Sequence, residues 1–379
     1  MKLSPIDLDF SALRRFPDVE EENLHAADAS DRLILDEAAA ALGAVDSGED
    51  VVVIGDRYGA LALGAAAAHG LSGIRVHQDS LIGEYALEGN AHRAGLTGRV
   101  RSLPLTAELI AGARVVLVQL PRQLAALNEI ARLIAAFAAP DVVVYSGGRI
   151  KHLSPAMNGI LEESFTSVHA SLARQKSRLL IASGPREVSP AEPSRAYLDE
   201  LGLWVCAGGA TFAGATLDIG TRCLLELIPE MAPEARLAVD LGSGTGLVAA
   251  SLAAARPELK IIASDISADA VAATAATAEA NGFADRITAQ RDIGLSEVAS
   301  DSVDLVLLNP PFHTGATVHA GLARELFAEA ARVLRPGGEL WTVYNSHLGY
   351  RGALEALVGP TRQRGRNPKF TVNVSTVPQ

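Results

Sequence analysis

Short runs of consecutive apolar residues alternate along this chain with longer stretches in which small and apolar positions recur at helical spacing. The runs Val51–Ile54, Val115–Val118, Leu237–Leu241, Leu259–Ser264 and Val303–Leu308 predict strands buried on both faces. The alanine-rich segments between them predict covering helices. Leu217 to Ile228 has the spacing of an amphipathic helix. A further helix from His319 to Leu334 is stopped by Arg335-Pro336-Gly337-Gly338, ahead of a strand at Glu339–Tyr344. Phe370–Val374 alternates as a final edge strand, expected to be antiparallel. Strands and helices in this order build an α/β fold.

The pattern occurs twice. At an offset of 187 residues Gly55 matches Gly242, Gly59 matches Gly246 and Gly95 matches Gly282, while Asp79 falls one position from Asp265. Two copies of one domain follow. The expected division is a leader at 1–42, a degenerate first copy at 43–183, a proline-bearing linker at 184–202 and an equipped second copy at 203–379. Within the leader, Pro17–Glu22 reads as a turn then a helix, and Leu33-Ile34-Leu35 as a face for the first sheet. The first copy carries Arg57 and Tyr58 in its glycine turn and a displaced acid at Asp56. Leu120 is read there at the place that an amide holds in the second copy.

Composition narrows the partners. With 379 residues, 49% of them hydrophobic, the chain can fill two cores, and with 4% aromatics those cores must be aliphatic. Cys206 and Cys223 are too few for a disulfide framework or a zinc site, so a cytoplasmic protein without metal is expected. Neither Val51–Ile54 nor the stretch 61–70 is long enough to span a bilayer. A formal charge of −11 argues against coating nucleic acid with the whole surface. Locally the sign reverses: Arg351, Arg362, Arg364, Arg366 and Lys369 face the single acid Glu355. That segment reads either as an exposed loop or as a phosphate-facing one.

The chemistry concentrates in the second copy. Gly242-Ser243-Gly244-Thr245-Gly246 is a turn that lets backbone approach a nucleotide-like cofactor. Asp265, at the end of the next strand, is placed to accept two ribose hydroxyls. No Lys-Ser/Thr follows the turn, and the last glycine of a dinucleotide fingerprint is missing, which disfavours an ATPase or a hydride-transfer enzyme. Asp292 has two open readings, a contact to an adenine amine or a cap for the segment near Leu295, while Asp240 is expected to orient the turn.

Asn309-Pro310-Pro311-Phe312-His313 closes the fourth strand of that copy. The Asn309 side-chain oxygen and the Pro310 carbonyl are two acceptors able to hold the hydrogens of a delocalised nucleobase amine beside a sulfonium methyl. Proline fixes the backbone, and Phe312 offers a ring for a flipped base. His313 orients Asn309, contacts substrate or caps the next helix.

With Arg14-Arg15-Phe16-Pro17, Ala26-Ala27-Asp28, Lys151-His152-Leu153 and the Asn309 motif, nearly the whole chain resembles the bacterial ribosomal RNA guanine-N2 methyltransferases with duplicated methyltransferase domains. Asn345–Tyr350 and Asn367-Pro368-Lys369-Phe370 look more like the large-subunit (23S) enzyme than the small-subunit (16S) one, with a departure at Gly349, where the pattern has an acidic residue. The resemblance implies two tandem Rossmann-like class I domains. It implies S-adenosylmethionine at Asp240, Gly242, Gly244, Gly246, Asp265, Asp292 and Asn309, and catalysis by Asn309, Pro310 and Phe312. Substrate contacts would come from Pro311, His313, Arg362, Arg364, Arg366 and Lys369, with ribosomal RNA, naked or partly assembled, as partner and no metal. The residues alone leave adenine-N6 or glutamine side-chain methylation and a noncatalytic RNA scaffold open.

Overall fold

The computed structural model describes residues 3–211, 214–310 and 316–379, with backbone alone for 316–320. Two units divide the chain, Met1–Glu192 and Pro193–Gln379.

The first unit runs α1 (Ala29–Ala44), β1 (Val51–Ile54), α2 (Ala60–His69), β2 (Ile74–His77), α3 (Leu81–Arg93), β3 (Val100–Ser102), α4 (Ala107–Ile110), β4 (Val115–Gln119), α5 (Leu124–Phe137), β5 (Val143–Arg149), α6 (Ala156–Ser164), β6 (Phe165–Ala170) and β7 (Ser177–Pro185). The second opens with a hairpin, β8 (Ser194–Leu198) and β9 (Leu203–Ala207). It continues α7 (Ile219–Leu225), β10 (Leu237–Leu241), α8 (Leu247–Ala255), β11 (Lys260–Asp265), α9 (Ala268–Ala280), β12 (Ile287–Arg291), β13 (Val303–Leu308), α10 (Ala316–Val333), β14 (Leu334–Asn345), α11 (Arg351–Leu357), β15 (Thr361–Arg366) and β16 (Phe370–Thr376).

Both large sheets have seven strands, in the orders β3-β2-β1-β4-β5-β7-β6 and β12-β11-β10-β13-β14-β16-β15. Five strands in each are parallel and β7 and β16 run antiparallel; β16 has the expected direction but is not the expected edge strand, since it pairs with β14 on one side and β15 on the other and is buried along its length. Parallel strands covered by helices on both faces explain the unbroken burial of β1 and β13. On one face of the second sheet Val343, Val372 and Val374 pack with Leu224, Leu247 and Leu252. On the other, Val306, Leu308 and Leu340 pack with Phe327 and Leu354.

Several elements differ from expectation. Pro17–Glu22 forms turns with no helix, because Arg14, Arg15 and Asp18 hold it through side-chain bonds instead. α1 is integral to the first fold: Leu33 and Ile34 are at most 1% exposed in its core. Part of the stretch read as a linker is strand β8. β14 already begins at Leu334, and its register against β13 slips between Val303 and Leu305, so Pro336-Gly337-Gly338 is absorbed as an irregularity within the strand.

Candidate active site at the carboxyl edge of the second sheet

Strand register assembles this site. Leu241 of β10 pairs with Ser264 of β11 on one side and Leu308 of β13 on the other, so Gly242, Asp265 and Asn309 leave the sheet side by side where its strand order diverges. The three turn glycines all have positive φ, at 77°, 54° and 73° for Gly242, Gly244 and Gly246, but they serve different ends. A Cβ at Gly242 or Gly244 would meet nothing within 4 Å, so space beside the turn is open for a ligand. One at Gly246 would stand 2.8 Å from the Thr274 Cα, so that glycine is required by the packing of α8 against α9.

Asp265 is tied into the turn: Gly244 N–H donates to its Oδ2 at 3.0 Å and Ser267 N–H to its Oδ1 at 2.9 Å. A carboxylate can accept from several donors at once, a diol among them. Asp240 is 3% exposed and accepts from Ala249 N–H at 3.0 Å, in the first turns of α8. Burial, with Asp265 nearby, raises its pKa to about 7. Asp292 accepts from the Ser296 hydroxyl and, at 3.2 Å, from Glu297 N–H, so capping of the segment near Leu295 is visible.

Asn309 follows β13 directly. Its Nδ2 donates to Thr221 Oγ1 at 3.2 Å, and its Oδ1 is buried with no hydrogen-bond partner among the described residues. Pro310 is buried beside it. Pro311, Phe312 and His313 lie outside the described residues.

The basic segment is a strand, not a loop. β15 pairs antiparallel with β16, and a bulge between Gln363 and Gly365 shifts the alternation. Arg362 therefore lies opposite Val374 while Arg366 lies opposite Thr371, on different faces, and Arg364 is ion-paired with Glu230. Only the Arg366 end of the strand, with Lys369, reaches the edge that carries Asn309, since β15 runs in the direction of β14. Gly349, with φ 60°, ends a 3-10 turn in the left-handed region, which gives that glycine a backbone reason.

The first unit shows what a closed version looks like. Ile54 pairs with Val118 as Leu241 pairs with Leu308, so Gln119, not Leu120, stands where Asn309 does. At the offset of 187 residues Asn309 would fall on Arg122, and the connections before the fourth strands differ by three residues, which brings Gln119 to that place. Tyr58 is 8% exposed, its hydroxyl bonds Asp18, and Arg15 lies 4.7 Å from its ring centroid. Asp56 accepts from Gly59, Leu61 and Ala62 N–H at 3.1, 3.2 and 2.7 Å, occupying the start of α2. What remains between Arg15, Asp31, Asp56, Tyr58 and Gln119 is a cavity of about 40 Å³, too small for a nucleoside. At this edge burial lowers the pKa of His152, and the charges of Arg122, Lys151, Arg57 and Arg149 lower it further, which marks one exposed basic rim. Sequence reasoning missed this rim because its members come from three separate strand ends, those of β1, β4 and β5.

Among the described residues no group of three or more His, Cys, Asp or Glu could hold a metal, and no helix is long and apolar enough to cross a membrane.

Comparison with known proteins gives a consistent result. The family described as RLMG N-terminal domain matches residues 3–186, and the one described as Methyltransferase small domain matches residues 202–373. Ribosomal RNA large subunit methyltransferase G of Pseudomonas paraeruginosa is 35% identical over 364 residues, covering 95% of this chain and 96% of that protein. The protein of the same name from Streptomyces avermitilis is 36% identical over 373 residues, covering 95% of each. A T. thermophilus 16S rRNA N2 methyltransferase solved with AdoMet and guanosine superposes with a TM-score of 0.70 at 19% identity over 92% of each chain, a likeness of fold.

Proposed function

Because this chain belongs to the ribosomal RNA large subunit methyltransferase G family, we propose a division of labour at its second-unit site for the reaction that membership carries. The protein is an S-adenosylmethionine-dependent methyltransferase that modifies the exocyclic N2 of a guanine in 23S rRNA. Both halves have the class I methyltransferase fold.

The observation that carries the assignment of roles is the buried, unpartnered Oδ1 of Asn309 beside the open glycine turn. A buried acceptor left without a donor is costly, and a substrate N–H arriving there satisfies it. Asn309 Oδ1 and the Pro310 carbonyl thus hold the two hydrogens of the guanine amine and turn its nitrogen lone pair toward the donor. Bound S-adenosylmethionine supplies the electrophilic methyl group. Gly242 and Gly244 give it room, Asp265 accepts its ribose hydroxyls, and Asp292 lies on the adenine side. Asp240 acts from behind by fixing the start of α8. Phe312 is assigned to the base, and Pro311 and His313 to substrate contact.

The rRNA approaches as naked or partly assembled particle, its phosphates met by Arg366 and Lys369 in the second unit and by the rim of Arg57, Arg122, Arg149 and Lys151 in the first. The protein works in the cytoplasm, where that substrate is made.

Incubation with labelled methyl donor and separate deproteinised 16S and 23S rRNAs, followed by nucleoside mapping, tests the reading. Label is expected in N2-methylguanosine from 23S rRNA. Label in adenosine, in 16S rRNA or in protein would overturn it.

A further inference from the structure

The two copies hold their strand-end amides in the same way, and one difference between them separates the open site from the closed one. In the first unit α1 is capped by Asp28, whose carboxylate accepts from Ser30 and Asp31 N–H. In the second α7 is capped by Asp218, which accepts from Gly220 and Thr221 N–H at 2.9 and 3.1 Å. Counting from the caps, Ser30 corresponds to Gly220 and Asp31 to Thr221. In the first unit Gln119 Nε2 donates to Asp31, and Ser30 Oγ, which donates to Asp28, lies 3.3 Å from both the nitrogen and the oxygen of that amide. A second side chain thus stands beside the amide. In the second unit Asn309 Nδ2 donates to Thr221 Oγ1 at 3.2 Å, but Gly220 offers no hydroxyl and Oδ1 has no partner among the described residues.

We propose that Thr221 is a positioning residue for methyl transfer: it holds the Asn309 carboxamide by its nitrogen, so that the oxygen and not the NH₂ group faces the reacting amine. The proposal rests on the role given to Asn309 above and extends it to a second element. A carboxamide is nearly symmetric in shape, so a half-turn about its last torsion presents two donors where the reaction needs an acceptor. An amine N–H meeting an amide N–H is repelled, and the bond that Thr221 Oγ1 accepts from Nδ2 at the far end of the amide holds the productive orientation. Thr221 is well placed to supply it. It is 8% exposed, its backbone is pinned by the Asp218 cap, and α7 is anchored through Leu224, which is fully buried in the core. Gly220 is fitted to the same geometry: a Cβ there would come within 3.0 Å of the Phe370 ring, and a serine hydroxyl on it would bring back the group that lies beside the amide oxygen in the first unit.

Two variants test this. Thr221→Val keeps the side-chain shape and removes the hydroxyl, and Thr221→Ser keeps the hydroxyl. Single-turnover methylation of deproteinised 23S rRNA is measured at saturating S-adenosylmethionine and RNA, with dissociation constants for each and a thermal midpoint determined separately. The valine variant should lose about 10-fold to 100-fold in rate, the scale of a misplaced reacting group, while both dissociation constants move less than about 3-fold. The serine variant should return to within about 3-fold of wild type. A valine variant as fast as wild type would overturn the proposal. So would one whose rate falls only in step with cofactor affinity or thermal midpoint and is not restored by serine. Wild-type enzyme in the same assay reads the underlying assignment separately: if it forms no N2-methylguanosine, the reaction itself is wrong, whatever the variants do.

Discussion

At the scale of single residues, what decides the chemistry is which atoms have been left without a partner. Asn309→Ala removes the unsatisfied oxygen and nothing that holds the donor. The rate is therefore expected to fall by about 100-fold to 1000-fold, the usual cost of one preorganised polar group at a reacting centre, with the S-adenosylmethionine dissociation constant changed less than about 3-fold. Parallel loss of both in a titration would contradict that division. Asp265→Ala should do the reverse, weakening cofactor binding by about 10-fold or more because charged hydrogen bonds are lost. An unchanged dissociation constant would remove Asp265 from the cofactor site. Both residues were legible in the sequence because each stands at the end of an apolar strand, Asp265 as the last residue of β11 and Asn309 just after β13, where parallel sheets present their ligand edge. Thr221 was not, since it meets Asn309 across 88 residues of chain and no local pattern marks it.

At the scale of elements, register sorts residues that composition had grouped. The arginines of β15 looked like one basic patch, yet the bulge puts Arg362 and Arg366 on opposite faces and Glu230 neutralises Arg364. A double substitution Arg366→Gln with Lys369→Gln should weaken RNA binding and flatten its salt dependence by about one to two phosphate contacts, whereas Arg362→Gln should leave both unchanged. Equal effects in a salt titration would mean that the face does not matter. Glycine turns divide similarly. Ala at either Gly244 or Gly246 carries the cost of a positive φ, about 1 kcal/mol. Gly246→Ala must also displace the Thr274 backbone, so it should lower the thermal midpoint clearly more than Gly244→Ala does. The sequence placed these turns correctly, and it placed the strands it named to within a residue or two except at Leu334, where Pro-Gly-Gly reads as a helix stop and only pairing with β13 shows that it lies inside a strand; β8 and β15, which carry no apolar run, read as linker and loop.

At the scale of the whole molecule, duplication was readable from spaced glycines, but the loss of the first site was only half readable. Arg57 and Tyr58 in the turn gave it away, while the amide Gln119 and the capping role of Asp56 needed the sheet register and the side-chain contacts. The closed site leaves a titration signature. Burial raises Asp31 to about 7 and Asp56 to about 6, above the ordinary carboxylate value near 4. The folded protein therefore holds these protons more tightly than the unfolded chain does. That contribution to stability is complete below about pH 4 and is lost as pH rises through 6 to 7. Asp31→Asn, which cannot ionise, should flatten the fall in thermal midpoint between about pH 5 and 8. A slope identical to wild type would mean that Asp31 is already charged across that range.

Asp56 gives the first unit a resident anion: the N–H groups at the start of α2 are already answered from within the chain. Its folding is thus complete without any small molecule, whereas the second unit keeps part of its stability in reserve for a ligand. Calorimetry should accordingly resolve two melting events, of which added S-adenosylmethionine raises one in proportion to the logarithm of its concentration and leaves the other where it was. Two events moving together would mean that the copies melt as a single cooperative body.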